Sequence, residues 1–267
     1  MTSIEPVLSV LADGIMTITL NRPEAANAVR PADRDALIGL LTNADADEKV
    51  RVVVLRANGK HFCSGADVGS LAERRAQGQK RVMEPTRRIM NGAQKLVAGI
   101  LDCTKPVIAA VHGAATGLGA HMVYASDLVI ATENAYFVES FVKRGLVVDG
   151  GGCYLLPRRI GMQKAKELAF FGERLTAAEA LTLGLVNRVV STEEFDSVVA
   201  DFAGRLAGSP TSAIAFTKRL LNDSPDTDRS GAFVAEAMAQ EIQSYSHDST
   251  EGVQAFVEKR PTEFTGW

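Results

Sequence analysis

The sequence predicts an α/β fold with largely parallel strand pairing. Short, continuously apolar runs at 52–55 and 107–111 have the length and β-branched content of strands buried on both faces. Glycine-rich turns follow such runs, and helical segments follow the turns. At 267 residues the chain is long enough for one large α/β unit and a smaller appendage.

Residues 7–10 and 15–20 are β-rich runs split by the turn sequence Ala12-Asp13-Gly14, and Asn21-Arg22-Pro23 ends the second. A helix is expected over 32–43, where Ala36, Leu37, Leu40 and Leu41 recur on one side. After the strand at 52–55, the stretch 68–101 is polar and reads as helical, with Arg74, Arg75, Lys80 and Arg81 clustered early. Leu71, Met83 and Met90 within it suit a substrate-facing helix or the core equally. Residues 107–111 and 127–131 are two further buried strands. Thr176 and Glu179, and likewise Ser191 and Glu194, have the spacing of capping boxes. Beyond Gly208-Ser209-Pro210, helices are expected near 211–221, 231–245 and 251–259. The chain therefore divides into a core of residues 1–204 and a helical subdomain of 205–267.

Composition narrows the class. Hydrophobic residues make up 46% and charged residues 23%, with a net charge of −3 from 29 basic and 32 acidic side chains. That balance favours neither nucleic acid nor an anionic membrane, although a local basic patch suits an anionic ligand. The three cysteines, Cys63, Cys103 and Cys153, are odd in number and lack metal-ligand spacing, so a reducing compartment and no metal site are expected. No basic segment followed by an apolar core opens the chain, which points to a cytoplasmic protein. The run 106–126 lacks Asp, Glu, Lys and Arg, yet it holds His112, His121 and three glycines. It divides into strand, turn and helix, so membrane insertion is not expected.

Three glycine-bearing segments carry the chemistry: 61–67, 113–120 and 145–152. In the first, Gly65 lets a compact turn aim the Ser64 N–H at a ligand; Asp67 suits a loop or helix start better than a base. In the second, a helix starting at Gly117-Leu118-Gly119 presents unpaired N–H groups and its positive dipole end. In the third, Asp149 adds a carboxylate. Two converging backbone donors and one acid–base group suit stabilisation of an oxyanion during proton transfer. Neither a G-x-G-x-x-G dinucleotide fingerprint nor a phosphate-loop motif is convincing here, so nicotinamide and nucleoside triphosphate sites lose ground.

Together with Leu20-Asn21-Arg22-Pro23, Asn27-Ala28, the run 105–111, and Glu251-Gly252 followed by 256–260, these segments resemble the crotonase, or enoyl-CoA hydratase/isomerase, family over nearly the whole chain. The resemblance implies a spiral of repeated β/β/α units with a C-terminal helical region. It implies an acyl-CoA thioester as substrate, with coenzyme A arriving as part of it and no permanently bound cofactor. The backbone N–H groups of Ser64 and Leu118 take the oxyanion-hole positions. Arg22, Ala26 and Ala28 fall in the region surrounding CoA, and Ala66 beside the opening for its bent form and thioester. Phe256 and Lys259 fall where relatives touch CoA, often from a neighbouring subunit of a homotrimer or dimer of trimers. Read from pattern alone, those two are a helix-packing residue and its solvated neighbour.

The acid–base positions depart from the hydratases. Their two glutamates are replaced here by His121 and Phe141, and Glu139 lies two positions from the second. Asp149 instead matches a position held by aspartate in several isomerases and in a dehalogenase of the family. Its surroundings, 145–151 and 156–158, resemble ring-epoxide phenylacetyl-CoA isomerases and related double-bond isomerases. The resemblance implies an acyl-CoA isomerase in which Asp149 removes a proton at one carbon and returns it at another. His121 either orients water or the acyl chain, or is a buried helix residue. An enoyl-CoA hydratase, a thioester hydrolase and a non-catalytic acyl-CoA-binding protein remain alternatives.

Overall fold

The computed structural model describes residues 5–67, 69 and 81–267. Strands β1 (Val7–Ala12) and β2 (Ile15–Leu20) form a hairpin, followed by helix α1 (Pro31–Ala46) and strand β3 (Val52–Ala57). Helix α2 (Glu84–Ile89) runs through a π-helical turn, Met90–Gln94, into α3 (Lys95–Asp102). Then come β4 (Val107–Val111), β5 (Ala114–Thr116), α4 (Leu118–Ala125), β6 (Leu128–Thr132) and β7 (Tyr136–Val138). Next are α5 (Gly152–Ile160), α6 (Met162–Phe171), β8 (Arg174–Thr176), α7 (Ala177–Thr182) and β9 (Arg188–Val190). Helices α8 (Phe195–Ala207), α9 (Thr211–Asp223), α10 (Arg229–Ser244) and α11 (His247–Glu258) complete the chain.

The strands lie in two sheets. The larger has the order β1-β2-β3-β4-β6-β9, parallel throughout except for the β1–β2 hairpin. The smaller has the order β5-β7-β8, joined parallel and then antiparallel. Two isolated parallel bridges, Val29 to Ala66 and Cys63 to Ala115, extend its pairing across the earlier loops. Each circuit thus places a strand in the large sheet, a strand or bridge in the small one, and then a helix: β3, Cys63 and α2–α3; β4, β5 and α4; β6, β7 and α5. This is the expected spiral of β/β/α units, with helices beyond.

Side-chain alternation explains the two cores. Val52, Val54, Ile108, Ala110 and Ile130 pack against Phe195, Val199 and Ala203 of α8. The intervening residues Val53, Leu55, Val107, Ala109 and Val111 face the opposite side, where Leu37, Leu41, Leu96 and Ile100 cover them. β4 is buried at every position, which is why it reads as an unbroken apolar run. The 106–126 run is β4, β5 and α4; among the described residues no helix is long and apolar enough to cross a membrane.

The expected strands and C-terminal helices are present within a few residues. The helix at 32–43 extends over Pro31–Ala46, because Pro31 suits a first helical position and Asp33 accepts the Arg30 backbone N–H at 3.0 Å. Thr176 and Glu179 form their capping box. Ser191 accepts the Glu194 N–H at 3.2 Å, one turn ahead of α8. Leu71, Arg74, Arg75 and Lys80 lie outside the described residues. Lys218 on α9 ties that helix to the core through Asp127 at 2.8 Å and the carbonyls of Ile100 and Lys105 at 3.0 and 3.2 Å. Trp267 docks under the Lys105 ammonium, 4.5 Å from the ring centroid.

Candidate active site

The three glycine-bearing segments meet at one cavity of about 1440 Å³, lined by residues from 64–67, 117–118 and 146–149. Backbone pairing draws them together. The N–H groups of Phe62 and Cys63 donate to the carbonyls of His112 and Ala114, each at 2.9 Å, and Thr116 N–H donates back to Cys63 at 2.9 Å. Gly65 has φ +100°, and a Cβ there would lie 2.8 Å from the Thr116 carbonyl oxygen. Only glycine lets the two segments come so close.

The backbone hydrogen bonds decide which amides face the cavity. Ser64 N–H donates to the Ala26 carbonyl at 3.0 Å. It is therefore engaged within the protein, contrary to the expectation that it serves a ligand. Ala66 sits differently. At its parallel bridge, Val29 N–H donates to Gly65 at 2.8 Å and Asp67 N–H donates to Val29 at 3.0 Å. In an extended segment alternate amides point to opposite sides, so the Ala66 N–H faces away from Val29. Leu118, at the first position of α4, has no intrahelical acceptor. Among the described residues neither the Ala66 nor the Leu118 N–H has an acceptor, and both residues line the cavity.

Asp149 lines the same cavity from the turn that precedes α5. Gly150 and Gly151 follow at φ +57° and +94°, and Gly152 N–H closes onto the Asp149 carbonyl at 3.1 Å. Among the described residues the Asp149 carboxylate has no hydrogen-bond or ion-pair partner, whereas Asp67, the other carboxylate on the wall, meets Arg22 at 3.4 Å. Burial pushes the Asp149 carboxyl above its ordinary value; nearby His121 opposes that rise and Glu139 adds to it.

His121 is fully buried and is not on the cavity wall. Its Nε2 lies 3.2 Å from Glu139 Oε2, and its ring stacks on Phe141 with centroids 5.5 Å apart and planes 3° from parallel. Phe141 does line the cavity and stands at its side of the stack.

Of the residues expected near CoA, Ala28 and Ala66 are on the wall. Arg22 braces the wall from behind, donating to the Ala28 carbonyl at 2.8 Å and meeting Asp33 at 3.3 Å. Ala26 supplies the carbonyl that engages Ser64. Phe256 is 85% exposed on α11, and Lys259 caps that helix at φ +56°; neither lines this chain's cavity. Arg30, Arg34, Arg81, Arg88 and Arg144 give the wall its positive charge. Of these, sequence reading marked only Arg81; the Arg30–Arg34 spacing on a helix face was the available signal for two more. Met83 lines the cavity just ahead of α2, while Met90 is exposed in the π-helical turn and does not line it. The Cys63 thiol is buried and pushed up to about 12, which removes it as a nucleophile.

The enoyl-CoA hydratase/isomerase family pattern matches residues 11–266. The chain belongs to this family. Across the enoyl-CoA hydratase/isomerases it is 38% identical to a probable enoyl-CoA hydratase of Rhodobacter capsulatus, covering 96% of each chain. It is 34% identical to the 1,2-epoxyphenylacetyl-CoA isomerase of Escherichia coli, covering 98% of this chain and 99% of that one. The crystal structure of an enoyl-CoA hydratase from Mycobacterium smegmatis superimposes with a TM-score of 0.90 at 34% identity, covering 98% of this chain and 99% of that one.

Substituting Gly65→Ala should drive the 63–67 turn away from Thr116 and destabilise the fold by about 1–3 kcal/mol. Urea unfolding is the measurement, and an unchanged midpoint would show that the close approach is dispensable.

Proposed function

We propose that this family member is an acyl-CoA isomerase in which Asp149 carries a proton between two carbons of the acyl group. The observation that carries this reading is a carboxylate, Asp149, and two amides, Ala66 and Leu118, on the same cavity wall, none of them partnered among the described residues. The Ala66 and Leu118 N–H groups receive the thioester oxygen, replacing the Ser64 and Leu118 pair expected from sequence. As a proton leaves the acyl chain, negative charge grows on that oxygen, and two preorganised donors stabilise it. The Asp149 carboxylate accepts the proton and returns it at the other end of the dienolate.

Burial suits Asp149 to this task. A carboxyl whose proton affinity is raised is a stronger base once ionised and a ready acid once protonated. Water addition is less well served, because His121 lies behind Phe141 rather than on the wall. The arginines of the wall suit the phosphates of CoA. The name of the Escherichia coli relative, an isomerase of a CoA thioester, agrees with this reading.

The same reading makes the protein a homotrimer or dimer of trimers. Phe233, Met238 and Ile242 on α10 and Val253, Phe256 and Val257 on α11 expose apolar surface that such contacts would cover. Phe256 and Lys259 would then reach a neighbouring subunit's cavity. Light scattering should give a mass of three or six chains; a monomer at working concentration would remove that role for the two residues.

The direct test is incubation with 2-enoyl-, 3-enoyl- and ring-containing acyl-CoAs in heavy-oxygen water, with products resolved by mass and chromatography. An unlabelled product of unchanged mass is expected, and Asp149→Asn should lower its rate by about 10²–10⁴-fold. Labelled water added to the acyl chain would replace isomerisation by hydration, and free CoA with a labelled acid would replace it by hydrolysis.

The pH dependence has a definite sign. Asp149 acts first as a base, so activity requires the ionised form and falls as pH drops through its raised pKa. The acid limb of kcat/KM should therefore lie above the usual Asp value of about 4. A limb at or below that value would remove Asp149 as the base.

A further inference from the structure

Behind Asp149 lies a buried pair that the proton transfer above does not use. His121 and Glu139 are 0% and 1% exposed, and their Nε2 and Oε2 atoms are 3.2 Å apart. The ring fills the space that two glycines leave. A Cβ at Gly150 would lie 3.0 Å from His121 Nδ1, and one at Gly152 would collide with Nε2. On its other side the ring meets Phe141, face to face. The imidazole is thus clamped between the cavity wall and the turn that carries Asp149, with the Glu139 carboxylate at one nitrogen.

We propose that Glu139 is a positioning residue for Asp149, acting through His121. The inference rests on Asp149 being the proton carrier. Glu139 accepts the Nε2–H, which sets the ring's orientation and leaves Nδ1 beneath Gly150. The ring, packed beneath Gly150 and Gly152, supports the 149–152 turn and so fixes where the Asp149 carboxylate stands.

The other titratable groups around His121 are few. Tyr124, on the same helix, has its ring centroid 5.9 Å away, and its phenol is pushed well above the ordinary range by burial and by Glu139. Cys153 on α5 has its thiol raised by burial, Glu139 and Asp149. Asp149 and Glu139 complete the set. Both Nδ1 of His121 and Oε1 of Glu139 lack a hydrogen-bond partner among the described residues. One hydrogen bond joins His121 to Glu139, with the Tyr124 phenol also at that carboxylate, so removing either member unbalances the other.

The experiment compares kcat and KM separately for the wild type, Glu139→Gln, His121→Gln and the double variant, with acyl-CoA affinity and thermal unfolding measured alongside. Losing the carboxylate frees the ring to turn, and losing the ring removes the support beneath the 149–152 turn directly. Each single variant should lower kcat by about 10-fold with KM little changed, and the double variant should lower it no further. Folded variants that bind acyl-CoA normally and keep the wild-type kcat would overturn the proposal. Nitrogen NMR of wild-type His121 covers the case in which the variants fail to fold. A ring protonated at Nε2 supports the assignment, and a neutral ring protonated only at Nδ1 overturns it. Asp149→Asn is the control: full activity there would sink the proton-carrier reading itself, while the NMR result still reports on the pair.

Discussion

The close approach of two backbone segments, 63–66 and 114–118, is the constraint on which the rest of the site depends. Parallel pairing of Cys63 with Ala115 joins the loop after β3 to the small sheet. Gly65 then abuts Thr116 with no side chain between them. From that contact follow the direction of the Ala66 amide, the start of α4 at Leu118, and the floor of the cavity. Gly119 extends the same logic one turn later: a Cβ there would lie 2.7 Å from that of Cys63. The helix that presents the Leu118 amide is thus seated against the loop that presents the Ala66 amide.

Charge is arranged around this frame in two zones. The wall carries several guanidinium groups, and some are held in place by carboxylates outside the cavity, as Arg30 is by Asp33 at 2.8 Å. Deeper in, the only carboxylate on the wall without a partner among the described residues is Asp149, flanked from behind by the His121–Glu139 pair. On the proposed reading, an anionic ligand and a proton transfer ask for opposite surroundings. Cations near solvent attract the one, and a sparsely solvated carboxyl serves the other.

Most of the large sheet was legible because its strands are apolar throughout or alternate cleanly. The β4 run is buried at all its positions, and the β1–β2 turn is marked by Asp13-Gly14. The short strands were not legible. β5, β7 and β8 are Ala114–Thr116, Tyr136–Val138 and Arg174–Thr176, too brief for any periodicity to register. Tertiary pairing makes them strands. The π-helical turn at Met90–Gln94 likewise leaves no pattern of its own in the sequence.

The site divides along the same line. The sequence by itself carried the three glycine-bearing segments, a carboxylate at Asp149 in the third of them, and His121 and Phe141 in place of the paired glutamates of the hydratases. Residue type and order carry that information. Only the tertiary structure decided that the Ser64 amide donates to Ala26 while the Ala66 amide has no acceptor among the described residues. It alone turned His121 away from the cavity and onto Glu139. The direction of an amide or a ring depends on contacts between segments far apart in the chain, and no local pattern of residues records it.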